Sequence, residues 1–191
     1  MSKSLSHLFY QTTGFILFHE KENADFVLSS NDAESIIAER TKDLDVSEHR
    51  IKNKKILSSK QMTIIRKKIK NRTATMKEYK NYSMTLRLNK RRQRAISNFW
   101  KEEKQRILSG KPWTRAWTED QKNAILHDEK PKLYGKTMQG HHTYSVSKYP
   151  HLSDKSEIIY PVTFQEHLYD WHGGNFRNST SGKRIIKKGN K

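Results

Sequence analysis

The distribution of apolar and polar positions near the N-terminus predicts a short hairpin followed by one helix, although strict alternation is absent. Two apolar runs, at 15–18 and 26–28, flank a polar turn, which is the pattern of two short strands. Asn31 then precedes Glu34 by three residues and introduces an apolar triplet. This capping signature predicts a helix of about ten residues.

The middle of the chain has the periodicity of long helices. No Pro or Gly occurs between residues 58 and 109. Apolar side chains return there at helical intervals, at Met62, Ile65, Ile69, Met76 and Tyr79. We expect a break near 81–89, a second helix that opens at Arg91 and an end at Gly110.

Two strands are predicted in the last third of the chain, after a further short helix. The capping box at 118–121 predicts that helix, which runs to about His127. Gly140-His141-His142 begins the first strand, and the apolar run 158–160 forms the second until Pro161 stops it.

A helix follows these strands. Thr163 and Glu166 form a second capping box, which predicts a helix from about 164 to 172. Gly173 then occupies the C′ position, where a left-handed glycine commonly ends a helix. The histidine-rich unit is therefore β-β-α.

These elements predict an α+β fold, in which a mostly helical basic N-terminal part precedes a small ββα domain. Charge divides the chain in the same way. Residues 1–49 carry four basic and nine acidic side chains, residues 50–94 seventeen and one, and residues 95–191 seventeen and ten. We interpret these segments as an acidic leader, a basic helical segment and the domain that carries the chemistry.

Composition narrows the possible classes of protein. The net charge is +18, and its density in the basic segment, about one charge every three residues, would attract a phosphate backbone. A solvated helix face or a partner-binding surface would give the same charge run. The absence of cysteine excludes disulfides, thiolate metal sites and thiol nucleophiles. No apolar run reaches 18 residues and no cleavage site follows the early apolar stretch, so we predict neither a membrane span nor a signal peptide.

Two pairs of histidines are the candidate metal ligands and catalytic bases. Imidazole is the commonest metal ligand and the usual base near neutral pH, so His141-His142 facing His167 and His172 predicts a metal-hydrolase site. Side chains five apart on an α-helix are separated by about 140°. His172 therefore joins the site only if the Gly173-Gly174 turn brings it round. Otherwise it is a C-cap that interacts with the helix dipole, and Asp, Asn or water completes the ligand set.

Residues from about 91 to 186 resemble the HNH (His-Me finger, ββα-metal) nucleases, in particular the GHH-signature toxin domains of Rhs and other polymorphic bacterial toxins. The pieces that carry the resemblance are Trp117-Thr118-Glu119-Asp120-Gln121, Gly140-His141-His142, Ser145-Val146, Tyr149-Pro150, Glu166-His167-Leu168 and the run from Gly173 to Gly182. Their order and spacing matter more than any single piece.

The resemblance implies roles for these residues. His142 is the expected general base, and His141, also expected to take part in catalysis, would bind one divalent metal ion (Mg, Zn, Mn or Ni) together with His167 and His172. Phosphate is expected to be held by a polar and basic set: Asn175, Arg177, Asn178, Lys183 and Arg184. The Asn that normally orients the base is missing near Ser156-Glu157-Ile158. A backbone carbonyl or Glu157 would have to replace it, or activity is weakened.

The resemblance also implies partners. We expect a non-specific DNA endonuclease that acts as an antibacterial toxin, restrained by a cognate immunity protein and connected to a parent toxin or secretion apparatus. Such an effector would be delivered to the target-cell cytoplasm. Two alternatives remain open: a catalytically weak or inactive nucleic-acid-binding protein with a degenerate metal finger, and the same chemistry on RNA.

Overall fold

The structure is a computed structural model that describes residues 33–53 and 55–185. The predicted hairpin and the Asn31 cap lie outside these residues. The first described helix, α1, spans Ala33–Arg40. Within the described ranges, none of the helices has the length and apolar character needed to cross a membrane.

Three further helices begin at capping boxes. They are α2 (Ser59–Lys70), α3 (Met76–Leu108) and α4 (Glu119–Leu126). Their N-caps are Ser58, Thr75 and Thr118, and each N-cap side chain accepts a hydrogen bond from the backbone of a Glu or Gln three residues later. The box predicted at Thr118 is therefore confirmed, because it opens α4.

The predicted break at 81–89 is wrong, because α3 is continuous across it. The break lies instead at 71–75, where Arg72 has a left-handed backbone (φ 56°) and Thr75 starts a new helix. Asn81 is tolerated inside the helix because it is buried and its side chain accepts a hydrogen bond from the Lys55 backbone, at 3.2 Å. A tertiary contact thus outweighs the poor helix propensity of asparagine.

Two small antiparallel sheets follow α4. Strands β1 (Lys132–Leu133) and β2 (Lys136–Thr137) form the first, and β3 (Gln139–His142) and β4 (Ile159–Val162) form the second. In the second sheet His141 pairs with Tyr160 and His142 with Ile159. The predicted stop at Pro161 is wrong, since β4 continues through it to Val162. Proline is tolerated because β4 pairs with β3 alone in this sheet.

The last helical element follows β4 and carries the second histidine pair. Its central part, Glu166–Trp171, is wound as a π-helix, and we refer to it as the histidine helix. The predicted capping box is present, because the Thr163 backbone N–H donates to the Glu166 carboxylate at 2.6 Å and the Glu166 N–H donates to the Thr163 hydroxyl at 3.2 Å. The described part of the chain is thus a mixed α+β fold with a helical N-terminal part, as the sequence predicts.

The main hydrophobic core joins α1, α3 and the ββ-helix unit. Its most buried members are Ala33, Ile37, Ala95, Phe99, Ile158, Ile159, Val162 and Trp171. At the end of α1, the Arg40 guanidinium donates to the backbone carbonyls of Ile159 at 2.9 Å and Ser156 at 2.8 Å. The helix predicted within the acidic leader therefore packs on the same core as the histidines.

Gly140 allows α3 to approach this sheet closely. A Cβ atom at this position would lie 3.1 Å from the side chain of Ile96 on α3 and 3.1 Å from that of Ile159 on β4. Such contacts are tighter than ordinary van der Waals packing. The packing of α3 over β3 therefore favours a glycine before the histidine pair.

Candidate metal centre

The two histidines of β3 contact different parts of the site. Successive side chains of a strand point to opposite faces. The ring of His141 packs on His167, His172 and Trp171, with centroids 4.6, 5.1 and 4.9 Å away. His142 instead approaches the turn that carries Ser153.

The histidine helix brings His167 and His172 together through its π winding. In a π-helix the hydrogen bonds join residues five apart, so side chains at that spacing lie roughly above one another. The rings of His167 and His172 have centroids 5.1 Å apart. Gly173 and Gly174 do have left-handed backbones, and they end the helix. His172 is the C-cap and has a non-helical backbone (φ −112°, ψ 3°), so the predicted condition, a position at the end of the helix before the glycine turn, is met, and the π winding acts in addition.

His141, His167 and His172 form a compact donor set. One ring nitrogen from each lies within 4.8 Å of the other two. His167 and His172 each direct Nδ1 at an oxygen, the side-chain oxygen of Gln139 at 2.9 Å and the backbone carbonyl of Asn178 at 2.8 Å. Both oxygens accept hydrogen bonds, so Nδ1 carries the proton and Nε2 keeps its lone pair. A hydrogen bond from the ring nitrogen that does not bind the metal is typical of metal-binding histidines.

His141, the third histidine of the donor set, also supports metal binding. Nε2 of His141 is buried and has no hydrogen-bond partner among the described residues. A buried polar nitrogen without a partner is costly unless a ligand satisfies it. The donor set therefore fits a divalent ion, and the three imidazoles are the described residues that could hold it.

Burial and neighbouring positive charge lower the pKa of His141 and of His167, so these two rings are neutral near pH 7. Burial, followed by the charges of the neighbouring histidines and Arg92, lowers the pKa of His141 well below 6.5. Burial, His172 and Arg92 lower the pKa of His167 to about 4. Neutral imidazole is the form that binds metal, so the site is prepared for a cation near neutral pH.

His142 contacts a backbone carbonyl. Its Nε2 lies 3.4 Å from the Ser153 carbonyl, a long contact that would leave Nδ1 free to accept a proton. Burial and the charge of Arg92 lower the pKa of His142 to about 4. Of the two substitutes considered for the missing family Asn, the backbone carbonyl is the one that contacts His142; the Glu157 carboxylate bonds to the Ser156 hydroxyl, at 3.3 Å.

The four histidines line a cavity of about 450 Å³. Arg92, from the middle of α3, lines it as well, and sequence reasoning missed this residue because it lies in a run of basic residues with nothing to distinguish it. The remaining lining residues are Ile56, Gly140, Ser145, Val146, Ser147, Phe176, Arg177, Asn178 and Ser179. No Asp or Glu is among the lining residues, so the cavity is suited to an anionic ligand.

The predicted phosphate-binding residues divide into two groups. Arg177 and Asn178 line the cavity, and Asn178 also donates to the His172 carbonyl at 2.8 Å. Asn175, Lys183 and Arg184 are not among its lining residues. Arg184 pairs with Glu34 of α1, 3.6 Å away, and Lys183 lines a separate pocket beside the same helix. The described structure therefore places only two of the five in the lining of the cavity.

A second group of possible ligands lies outside the cavity. Ring or carboxylate atoms of Asp45, His49 and His151 lie within 4.8 Å of one another. The Asp45 carboxylate is exposed and already accepts hydrogen bonds from Ser47 and His49, at 2.9 and 2.8 Å. His151 bonds to the Asp45 carbonyl at 2.8 Å, so this group connects the segment after α1 to the turn that carries Ser153.

Comparisons with known proteins agree with this geometry. Residues 84–163 match a family described as GHH signature containing HNH/Endo VII superfamily nuclease toxin. Similar proteins include teneurin-3 of Danio rerio, 36% identical over 84 residues that are 41% of this chain, and teneurin-4 of Homo sapiens, 38% identical over 69 residues, 36% of the chain. Teneurin-1 of Mus musculus is 33% identical over 86 residues, or 45% of the chain. The matched parts are only 2–3% of the length of these relatives.

Proposed function

We propose that the chain is a metal-dependent DNA endonuclease, because residues 84–163 match the family of GHH-signature nuclease toxins of the HNH/Endo VII superfamily. The observation that carries the proposal is the convergence of three imidazoles whose ring nitrogens lie within 4.8 Å of one another, beside a fourth histidine held by a carbonyl. The fold alone would not distinguish a nuclease from another protein of the same architecture.

His141, His167 and His172 would bind the metal ion. Three neutral imidazoles favour Zn²⁺ or Ni²⁺ over Mg²⁺, which prefers oxygen ligands. When bound, the ion would supply Lewis-acid stabilisation of the negative charge that develops on the phosphate and the leaving oxygen. Gln139 and the Asn178 carbonyl would keep the ligand rings oriented.

His142 would act as the general base. Its Nδ1 accepts the proton of the attacking water, while the Ser153 carbonyl holds the opposite nitrogen. Burial and Arg92 keep the ring neutral near pH 7, so the base is in its active form. Replacement of the ring by the methyl group of alanine would remove the proton acceptor and leave the three proposed metal ligands in place.

The basic helices would bind the nucleic acid on both sides of the scissile bond. Residues 50–94 carry seventeen basic side chains and one acidic one, and many of those on α2 are exposed. Such contacts to phosphate give affinity without sequence preference. Arg177, with its planar fork, is suited to a phosphate near the cavity.

Plasmid cleavage tests the proposal directly. The purified chain is incubated with supercoiled plasmid and Zn²⁺, Ni²⁺, Mn²⁺ or Mg²⁺, and with EDTA, in parallel with His142→Ala and the matched control His127→Ala. We expect nicked and linear products that require the metal and His142 but not the exposed His127. Undiminished cleavage by His142→Ala would exclude the proposed base.

The same preparation separates the two alternative functions. Degradation of total RNA at a higher rate than plasmid would identify RNA as the substrate. Salt-sensitive binding to DNA without any product, with every metal tested, would indicate a degenerate metal finger that binds without catalysis.

As a nuclease of a toxin family, the chain would act as a delivered effector, released by a parent toxin or secretion apparatus in the target-cell cytoplasm, and an immunity protein would neutralise it. The positive cavity and the basic helices would offer an acidic inhibitor a surface of complementary charge. Expression of the chain in bacteria should arrest growth, and co-expression of a cognate acidic partner should restore it. Growth unaffected by an active nuclease would contradict the toxin role.

A further inference from the structure

Arg92 differs from the other buried or partly buried arginines in lacking a partner. Arg91, its neighbour, donates to the Asp154 carboxylate and the His151 carbonyl at 2.8 and 2.9 Å. Arg115 forms two hydrogen bonds with Glu166, at 2.8 and 3.1 Å. Arg92 has no ion pair within residues 33–53 and 55–185, and its Nε, like that of Arg91, is buried without a hydrogen bond. The difference from Arg91 is therefore the absence of a carboxylate partner, which leaves the Arg92 guanidinium able to bind an anion.

The position of Arg92 indicates where that anion would bind. The side chain comes from the middle of α3, a 33-residue helix, and lines the cavity that also contains His141 and His142. No carboxylate lines this cavity, so no group of the protein competes for the guanidinium there. The negative charge must therefore be brought by a ligand.

We propose that Arg92 is a catalytic residue whose guanidinium binds the scissile phosphodiester and stabilises the charge that develops on it. The proposal rests on the proposed nuclease function. A planar guanidinium can hold two phosphate oxygens at once, which an ammonium cannot. Since α3 packs on the core through Ala95 and Phe99, three and seven residues beyond Arg92, the group is held on a rigid element. Preorganised donors of this kind act mainly on the transition state.

Arg92 and Arg177 would then have different tasks. Arg177 is exposed and follows the histidine helix in a loop, so it would contribute mainly to substrate affinity. Arg92 is partly buried beside the base and the metal ligands, so it would contribute mainly to the rate of bond cleavage. This difference between rate and affinity is what the experiment measures.

Three measurements on the full chain test the proposal, using Arg92→Gln, Arg92→Lys and the charge-matched control Lys101→Gln. Lys101 is exposed and lies farther along the same helix, outside the basic segment. The measurements are single-turnover cleavage of a labelled duplex with metal, anisotropy binding of that duplex in EDTA, and calorimetric titration with metal alone. We expect Arg92→Gln to lower the cleavage rate by about 100- to 1,000-fold. Duplex affinity should fall less than tenfold, metal affinity should not change, and Arg92→Lys should be intermediate.

Several outcomes would contradict the proposed catalytic role of Arg92. Cleavage by Arg92→Gln within about threefold of the unmodified chain would remove Arg92 from catalysis, and so would an equal loss from Lys101→Gln. Loss of metal affinity in Arg92→Gln would show that the residue only supports the histidines. If the unmodified chain cleaves no nucleic acid, the proposed nuclease function fails by itself. Titration with inorganic phosphate in EDTA then decides the anion site: tighter binding than in Arg92→Gln supports it, and equal binding excludes it.

Discussion

His167 and His172 are separated by five positions, yet their rings lie with centroids only 5.1 Å apart. An α-helix would turn these side chains about 140° away from each other. The π winding of Glu166–Trp171 aligns them instead, next to the buried ring of His141. The helix therefore departs from α-helical geometry at the point where three imidazoles converge. Such π turns are frequent at functional sites.

His172→Ala should weaken metal binding without unfolding the protein. It removes one of three nitrogen donors, so we expect metal affinity to fall by roughly 100-fold or more, beyond the effect of losing an outer hydrogen bond. Calorimetric titration with Zn²⁺ measures the change, and His127→Ala, an exposed histidine at the end of α4, is the control. An unchanged metal affinity would show that His172 does not bind the metal ion and serves only as a helix cap.

The elements of this site could be predicted because their signals are local. The capping box at Thr163 predicts the last helix, and the apolar run 158–160 predicts the second strand. The π winding could not be predicted, because the local signals in the sequence, a capping box and a C′ glycine, do not distinguish a π-helix from an α-helix. The position of the break before α3 was missed for a related reason, since Asn81 is stabilised by a contact with a distant backbone N–H.

Gln139 should control the orientation of a metal ligand. Its side-chain oxygen accepts from His167 Nδ1 at 2.9 Å, so Gln139→Ala would free the ring and lower metal affinity by roughly 10- to 100-fold. Gln139→Glu keeps an acceptor and should retain most of the affinity. Gln139 is exposed, so stability should change by less than about 0.5 kcal/mol. Equal affinities for the two variants would show that the hydrogen bond is not used.

Gln139 and Arg92 could not have been identified from the sequence. One is a polar residue at the start of a short strand, and the other belongs to a run of basic residues. The roles of Gln139 and Arg92 can be inferred only from the folded structure, in which β3, α3 and the histidine helix lie around one cavity. The histidines were found because imidazole itself suggests chemistry, whereas residues that orient or complement them have no such signature.

Gly140→Ala should destabilise the fold through contact with Ile96. The added methyl group would lie 3.1 Å from the Ile96 side chain, and overpacking of this kind costs about 1–3 kcal/mol. Ile96→Ala removes that side chain beyond Cβ, so the double variant should lose less stability than the sum of the two single ones, by at least about 0.5 kcal/mol. Urea unfolding of the four proteins measures the difference. Additive losses would mean that Gly140 is not required by this contact.

Arg115→Ala should destabilise the region that carries His167. Arg115 is 5% exposed, and its guanidinium holds both oxygens of Glu166 and the Pro161 carbonyl at 3.3 Å. Hydrogen bonds to charged groups contribute about 1.5–3 kcal/mol each, so we expect a loss of about 2–3 kcal/mol in the free energy of unfolding, because the partly exposed Glu166 regains water. Urea unfolding tests this, with Lys42→Ala, which breaks an exposed pair with Glu39 beside the end of α1, as the control. A loss no larger than that of the control would contradict the role of the pair.

The exposed basic side chains of α2 should determine how strongly salt weakens DNA binding. Each phosphate contact that a cation makes releases counterions and contributes about −0.9 to the slope of log affinity against log salt concentration. Arg66 and Lys67 are exposed on α2, away from the histidine cavity. Replacing both by Gln should therefore make the slope less negative by up to about 1.8, and the affinity should fall by the same factor for unrelated duplexes.

Measurements of the cleavage rate separate a loss of DNA affinity from a loss of catalytic activity. At saturating DNA, the double variant should cut at the rate of the unmodified chain, because neither side chain reaches the histidines. The duplex is titrated in EDTA at several salt concentrations, and single-turnover rates are measured with metal. An unchanged slope would mean that DNA approaches the cavity along another face, such as the loop that carries Arg177. A reduced saturating rate would mean instead that α2 positions the scissile bond.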